Sequence, residues 1–471
     1  MTIVQASRLP THVFRAYDIR GIVGDALTPD LVRRIGGAIG AEAHRRGVEM
    51  LVVGRDGRHS GAEMRAALVE GLRESGRDVV DVGRVPSPVL YFAAEHLEIG
   101  SGVMVTGSHN PPDYNGLKIV LAGETLHGSA IQDLRRRIEE DDLDCGRDVR
   151  GPGELRSTEI IGGYIRRICA EIPAVPGHRA RKIVIDCGNG VAGDVAPRLF
   201  RALGHDVVEL YCEVDGDFPN HHPDPSVPEN LWDLVAAVRE HEADLGLAFD
   251  GDGDRLGVVD GEGNIIWPDR QMMLFAADVL ASRPGAEIVF DIKCSGLLAE
   301  HIAGLGGRPV MWKTGHSFIK ARLRETGAPL AGEMSGHIFF ADRWYGFDDA
   351  IYSAARLVQI LDGLGEPSAR VFARLPAAKS TPELRIRVGE GRQVRLVESL
   401  LAGDRFPDAR RTTIDGLRVD WSDGWGLARA SNTEPCLVVR FEGRDDDALT
   451  RIMEEFRQAL LSVDSSLELP F

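Results

Sequence analysis

The sequence predicts three related α/β domains followed by a C-terminal α+β domain. A strand–loop–helix–glycine–strand unit occurs three times between Leu51 and Trp312. Its strands are short apolar runs rich in Val and Ile, which suit a largely parallel, buried sheet. The remainder, to Phe471, abandons that unit and mixes strands with one late helix. A chain of 471 residues exceeds one ordinary core and fits roughly two to four domains.

In the first unit Leu51-Val52-Val53-Gly54 opens a strand. A helix Ala62–Arg73, Gly76 and a strand Asp78–Val82 follow. The second has the strand Ile183–Asp186, the loop Gly188-Asn189-Gly190, a helix Val195–Leu203, Gly204 and the strand Val207–Leu210. The third has the strand Ile288–Asp291, the loop Lys293–Gly296, a helix to about Leu305, Gly306-Gly307 and the strand Val310–Trp312. Composition sets the boundaries: acidic Glu139–Asp144 followed by Gly151-Pro152-Gly153, the turn Asp260–Asn264, and scattered prolines from Pro367 to Pro382. The expected domains are 1–154, 155–262, 263–372 and 373–471. The last carries a strand Leu384–Val388 and a helix near Asp447–Leu461.

Hydrophobic residues at 43% and charged residues at 27% describe a soluble globular chain. Acidic residues outnumber basic ones, 72 to 55, for a formal charge of −17. That sign disfavours nucleic acid and anionic lipid, so neither is an expected partner. An anionic substrate then requires a local cationic pocket. Cys145, Cys169, Cys187, Cys212, Cys294 and Cys436 form no C-x-x-C pair, which suits reduced thiols in the cytoplasm. Met1–Pro10 lacks the apolar core of a signal peptide, and no stretch approaches a membrane span. A monomer is expected.

Four segments carry chemistry. In Thr106-Gly107-Ser108-His109-Asn110-Pro111-Pro112, Ser108 follows the buried strand Gly102–Val105, where α/β sheets place ligands. His109 and Lys118 add positive or proton-carrying groups near an incoming phosphate. In Asp250-Gly251-Asp252-Gly253-Asp254-Arg255, three carboxylates alternate after the strand Leu245–Phe249 and share one face if extended. Such a trio repels itself unless a hard cation such as Mg²⁺ fills it. An EF-hand fails on position: the sixth residue is Arg255 rather than Gly, and the twelfth is Gly261 rather than Glu. Arg255 is placed to meet a phosphate sharing the metal. In Gly332-Glu333-Met334-Ser335-Gly336-His337, alternation puts Glu333 and Ser335 on one face. A carboxylate there accepts from two adjacent sugar hydroxyls. Arg429-Ala430-Ser431-Asn432-Thr433-Glu434-Pro435 is a donor-rich turn suited to an anion.

With Phe14–Gly21 and Asn115-Gly116-Leu117-Lys118, these segments resemble the α-D-phosphohexomutases over essentially the whole chain. The likeness is greatest to the bacterial phosphomannomutase/phosphoglucomutase group. The resemblance implies four domains around a central cleft. It implies that Ser108 is phosphorylated and joins Asp250, Asp252 and Asp254 at Mg²⁺. Arg20, His109, Lys118, Arg255 and His337 then surround the transferring phosphoryl group. Glu333 and Ser335 hold sugar hydroxyls, and Arg429, Ser431, Asn432 and Thr433 bind the other phosphate. Tyr17, Lys293 and His316 also match substrate positions. The implied reaction moves phosphate between O1 and O6 of mannose or glucose phosphates through a hexose 1,6-bisphosphate. Lys118 and His337 both remain candidates for the base. Alternatives are a phosphoglucosamine mutase, a sugar-phosphate phosphatase and a non-catalytic sugar-phosphate sensor.

Overall fold

The computed structural model describes residues 9–143, 151–173, 179–389, 391–403, 405–431 and 435–471. The chain forms two compact units. The first runs to Ile266 and includes Ser335–Arg370; the second comprises Trp267–Met334 and Val371–Phe471.

The first unit holds two mixed sheets. One has the order Ile19–Ile22, Tyr114–Leu121, Gly102–Val105, Met50–Arg55, Asp78–Arg84, Leu155–Ser157. Its strands are parallel from Gly102–Val105 onward, while Tyr114–Leu121 runs antiparallel to both neighbours. Arg20 pairs with Gly116 across that ladder. Lys118, two residues on, therefore shares Arg20's face of the sheet. The helix Pro29–Arg45 starts at Pro29 with Thr28 accepting from the Leu31 N–H, a cap that suits an otherwise unpaired donor. Its Ile35 and Ile39 pack with Leu68, Leu72, Val53 and Val103.

The other sheet has the order Ile265–Ile266, Leu256–Asp260, Leu245–Phe249, Lys182–Asp186, Asp206–Leu210. Leu245–Phe249 is parallel to Lys182–Asp186 and antiparallel to Leu256–Asp260. The helix Trp232–Glu240 closes one face through Leu234 and Val238. The helix Ala350–Leu364 is capped by Asp349, which accepts from the Tyr352 N–H at 2.8 Å.

In the second unit Glu287–Asp291 lies parallel between Arg308–Trp312 and Leu330–Gly332. The C-terminal sheet is antiparallel throughout, centred on Cys436–Gly443 and Gly424–Ala430. The helix Asp446–Val463 covers it with Ile452, Phe456 and Leu460. Gly426 is required there: a β-carbon on it would lie 2.4 Å from the Phe456 ring. The expected architecture of three related α/β layers and an α+β remainder is the one observed.

Chemistry-bearing loops leave the C-terminal ends of the strands Gly102–Val105, Leu245–Phe249, Glu287–Asp291 and Leu330–Gly332, as the placement rule for α/β sheets requires. Cys169, Cys187, Cys212, Cys294 and Cys436 are thiols rather than disulfides; Cys145 lies outside the described residues. Among the described residues no helix is long and apolar enough to cross a membrane.

Candidate active site

Ser108 sits on the loop between Gly102–Val105 and Tyr114–Leu121 with φ +50, a left-handed conformation that non-glycine residues rarely adopt. Its own N–H donates to Thr106 Oγ1 at 2.8 Å. Thr106 in turn donates to Asp56 Oδ2 at 2.7 Å, and the Gly107 N–H reaches the same oxygen at 3.1 Å. Ser108 Oγ lies 3.2 Å from Asp250 Oδ2 and 3.3 Å from His109 Nδ1. The Ser108 hydroxyl and the acidic loop are thus in direct contact.

The carboxylates of Asp250, Asp252 and Asp254 do converge, each offering an oxygen within 4.8 Å of the others. The cause differs from the expected extended alternation. The segment is a tight turn joining antiparallel strands, with Gly253 at φ +77 and its N–H bonded to Asp250 O. Asp250 Oδ1 accepts from the Asp254 and Arg255 N–H groups at 3.0 and 3.1 Å. The turn therefore folds over its own first side chain. Gly251 has to be glycine, because a β-carbon would lie 2.4 Å from the Ser108 carbonyl oxygen.

All three carboxylates are fully buried. Burial, reinforced by Asp254 and Asp252, pushes the Asp250 carboxyl far up. Asp254 goes the other way: burial opposes its charge, but Lys118 and His337 hold it well below the carboxylate range. Lys118 Nζ bridges Asp252 and Asp254 at 2.6 and 2.5 Å. Against burial, those carboxylates hold its ammonium well above the usual lysine range. Ser87 donates to Asp252 Oδ2, whereas Asp252 Oδ1 is buried with no hydrogen-bond partner among the described residues. A crowded, buried, all-oxygen trio with an orphaned acceptor fits a hard divalent cation.

Around this centre, Arg20 donates to Asp18 at 2.5 Å and to Asn110 Oδ1 at 2.6 Å. Arg255 pairs with Asp224 at 3.6 Å, and its backbone bridges that of His337. His337 Nε2 lies 3.2 Å from Asp254 Oδ1, and Nδ1 lies 2.8 Å from Ser335 Oγ. Burial, with the Arg255 and Arg20 charges, pushes the His109 imidazole well below its ordinary value, so it is neutral. Tyr17 is half-buried in the bend before Ile19–Ile22.

The second unit holds the other predicted groups. Glu333 accepts from the Gly315 N–H at 2.5 Å, and His316 opens the helix His316–Thr326. Lys293 pairs with Glu383 at 2.5 Å and with Asp291 at 3.8 Å. Asp291 also accepts from Thr314 Oγ1 and the Met334 N–H. Arg429 pairs with Asp415 at 3.1 Å, and the Thr314 N–H donates to the same carboxylate at 3.1 Å. Asp415 thus joins Arg429 to the loop that precedes His316.

Two expectations need correction here. Glu333 directly follows the strand Leu330–Gly332 and Ser335 lies in a turn, so strand alternation does not carry through to Ser335. Arg429 belongs to the strand Gly424–Ala430 rather than to a turn, and the Ser431 N–H is spent on Cys436 O at 3.0 Å. It is therefore unavailable for an anion nest. Asn432 and Thr433 lie outside the described residues.

Sequence reasoning missed Asp56, Arg58, Ser87, Asp224, Asp291, Glu383 and Asp415. Arg55-Asp56-Gly57-Arg58 carried a usable signal, a charged run directly after the strand Met50–Arg55. Ser87 and Asp415 carried none, because their partners are distant in sequence.

Four family models match the chain in order. The phosphoglucomutase/phosphomannomutase α/β/α domains I, II and III match residues 11–144, 163–263 and 267–378, and the C-terminal domain matches 383–459. A phosphomannomutase/phosphoglucomutase of Pseudomonas aeruginosa is 55% identical over 471 residues, covering 100% of both chains. A phosphoglucomutase of Neisseria gonorrhoeae is 52% identical over 452 residues, 96% of this chain and 97% of that one. A crystal structure of a phosphoglucomutase/phosphomannomutase family protein from Burkholderia thailandensis superposes with a TM-score of 0.92 at 51% identity, covering 98% and 99%.

Proposed function

The chain belongs to the phosphoglucomutase/phosphomannomutase family, and we propose that it interconverts the 1- and 6-phosphates of mannose and glucose through a phosphorylated Ser108. The observation that carries the residue assignment is the contact of Ser108 Oγ with Asp250 inside the buried carboxylate trio.

Ser108 donates its phosphoryl group to a sugar hydroxyl, giving a hexose 1,6-bisphosphate. After the bisphosphate reverses its orientation, the Ser108 oxygen takes back the other phosphate. Asp250, Asp252 and Asp254, with the serine phosphate, would hold Mg²⁺. Bound there, the ion supplies Lewis-acid neutralisation of phosphate charge. Arg20 and Arg255 balance the equatorial oxygens of the moving group, where most of the catalysis of phosphoryl transfer resides. Lys118 and His337 both contact Asp254, and they are the two candidates for taking the sugar hydroxyl's proton; the His337 ring is also held by Ser335. Neutral His109 beside Ser108 Oγ orients the nucleophile.

Glu333 and Ser335 would hold sugar hydroxyls. Arg429, Ser431, Asn432 and Thr433, with Tyr17, Lys293 and His316, would bind the phosphate and sugar not reacting. The division of labour follows domains 1–154, 155–262, 263–372 and 373–471, in a cytoplasmic monomer. Assaying mannose, glucose and glucosamine 1-phosphates side by side tests the substrate assignment. Comparable turnover of mannose and glucose is expected; a preference for the amino sugar would contradict it.

A further inference from the structure

We infer that Arg58 is the positioning residue of the nucleophile loop, fixing Ser108 by gripping that loop's carbonyl groups. The inference rests on the assignment of Ser108 as phosphate carrier. Arg58 leaves the loop after Met50–Arg55, and its side chain is fully buried. Its guanidinium donates to Ser108 O at 2.8 Å, Asn110 O at 2.5 Å, Tyr114 O at 2.9 Å, and Pro111 O. One side chain thus binds three carbonyls of the loop and that of Tyr114, the first residue of the next strand. The loop's own bonds include Ser108 N–H to Thr106 Oγ1, Asn110 N–H to Gly107 O and Tyr114 N–H to Pro111 O.

The fit is specific. A β-carbon on Gly107 would lie 2.4 Å from Arg58 Nε and 2.8 Å from Tyr114 O, so the glycine leaves room for both the guanidinium and the carbonyl it grips. Asp56 pairs with the guanidinium at 3.2 Å while accepting from Thr106 and Gly107. The Phe218 ring covers it at 5.2 Å. Donors on the loop's entry are therefore taken by Asp56, and acceptors on its exit by Arg58. The left-handed turn at Ser108 lies between them.

Arg58 touches the Ser108 carbonyl, not its hydroxyl, so it acts through the backbone. Lysine carries the charge but lacks the planar fork that reaches several acceptors. The flanking strands keep their ladder independently, closed by the Thr106 N–H on Gly116 O. Loss of the fork should therefore loosen the loop and leave the sheet.

The test uses the full chain with Arg58→Lys and Gly107→Ala, which keeps the arginine but crowds both it and the Tyr114 carbonyl it binds. For each, kcat, KM, thermal unfolding and the ³¹P resonance of phosphoserine are measured. The expected result in both is a fall in kcat on the order of 100-fold, the scale of an ångström-level misplacement of a reacting group. KM should stay near that of the wild type, unfolding should stay cooperative, and the ³¹P resonance should move. Full kcat per folded molecule in both variants, with an unmoved ³¹P resonance, overturns the role of Arg58. Wild-type enzyme that is active without phosphate on Ser108 overturns the Ser108 assignment instead.

Discussion

At the scale of single residues, the site depends on side chains whose partners fix their chemical state. Glu333, which accepts from the Gly315 N–H, is the carboxylate proposed to hold hydroxyls that glucose and mannose share. Glu333→Ala should slow both sugars alike in steady-state assays; collapse of mannose turnover alone would mean that it reads the C2 position. His221 adds a pH dependence away from the chemistry. Its Nε2 meets Asp186 at 3.0 Å. Although burial opposes the imidazolium, that carboxylate raises its pKa above the ordinary value. A raised histidine stabilises the fold fully below its unfolded value of about 6.5, and the benefit disappears as pH rises through the folded value. His221→Asn should flatten the fall of Tm above neutral pH. An unchanged Tm–pH slope would show that the pair contributes nothing.

At the scale of elements, the Asp250–Arg255 loop proposed to hold the metal is a hairpin turn whose glycines let Asp250 receive the backbone of Asp254 and Arg255. Asp252→Asn keeps the shape, removes a charge, and should cost on the order of 10²-fold in kcat. Titrating Mg²⁺ against activity should show weaker apparent affinity as well; full activity after exhaustive chelation would refute the cation site. The residue types of this loop were legible in the sequence, but its geometry was not. Alternating aspartates suggest an extended face, and only the pairing of Leu245–Phe249 with Leu256–Asp260 makes the segment a turn. The three repeated units were legible because Val- and Ile-rich strands and glycine-ended helices are local signals. Arg58 and Asp415 were not, because their roles arise from carbonyls and amides up to 101 residues away. The strand position of Arg429 was hidden by the turn-forming residues beside it.

At the scale of the whole molecule, a chain of net charge −17 needs local cations to hold a dianionic substrate. The first compact unit carries the groups proposed for phosphoryl transfer: Ser108, Arg20, Lys118, Arg255 and the aspartates. The second carries Lys293, His316, Glu333 and Arg429. Arg429, held by Asp415, is assigned to the phosphate that is not being transferred. Losing a bidentate phosphate contact should weaken binding by roughly 1.5–3 kcal/mol. Arg429→Ala should also release bisphosphate before it reverses, so added 1,6-bisphosphate should rescue this variant more than it stimulates the wild type. Unchanged affinity and no greater need for bisphosphate would make Arg429 a structural arginine.

The central claim is that Ser108 carries phosphate to and from the sugar. The most direct measurement is a single-turnover experiment with enzyme labelled on Ser108 with ³²P and mixed with unlabelled glucose 1-phosphate. The account predicts that label leaves Ser108 and appears in hexose bisphosphate and hexose 6-phosphate, and that Ser108→Ala takes up no label and forms no product. Label remaining on the protein while product forms, or emerging as inorganic phosphate, would contradict it.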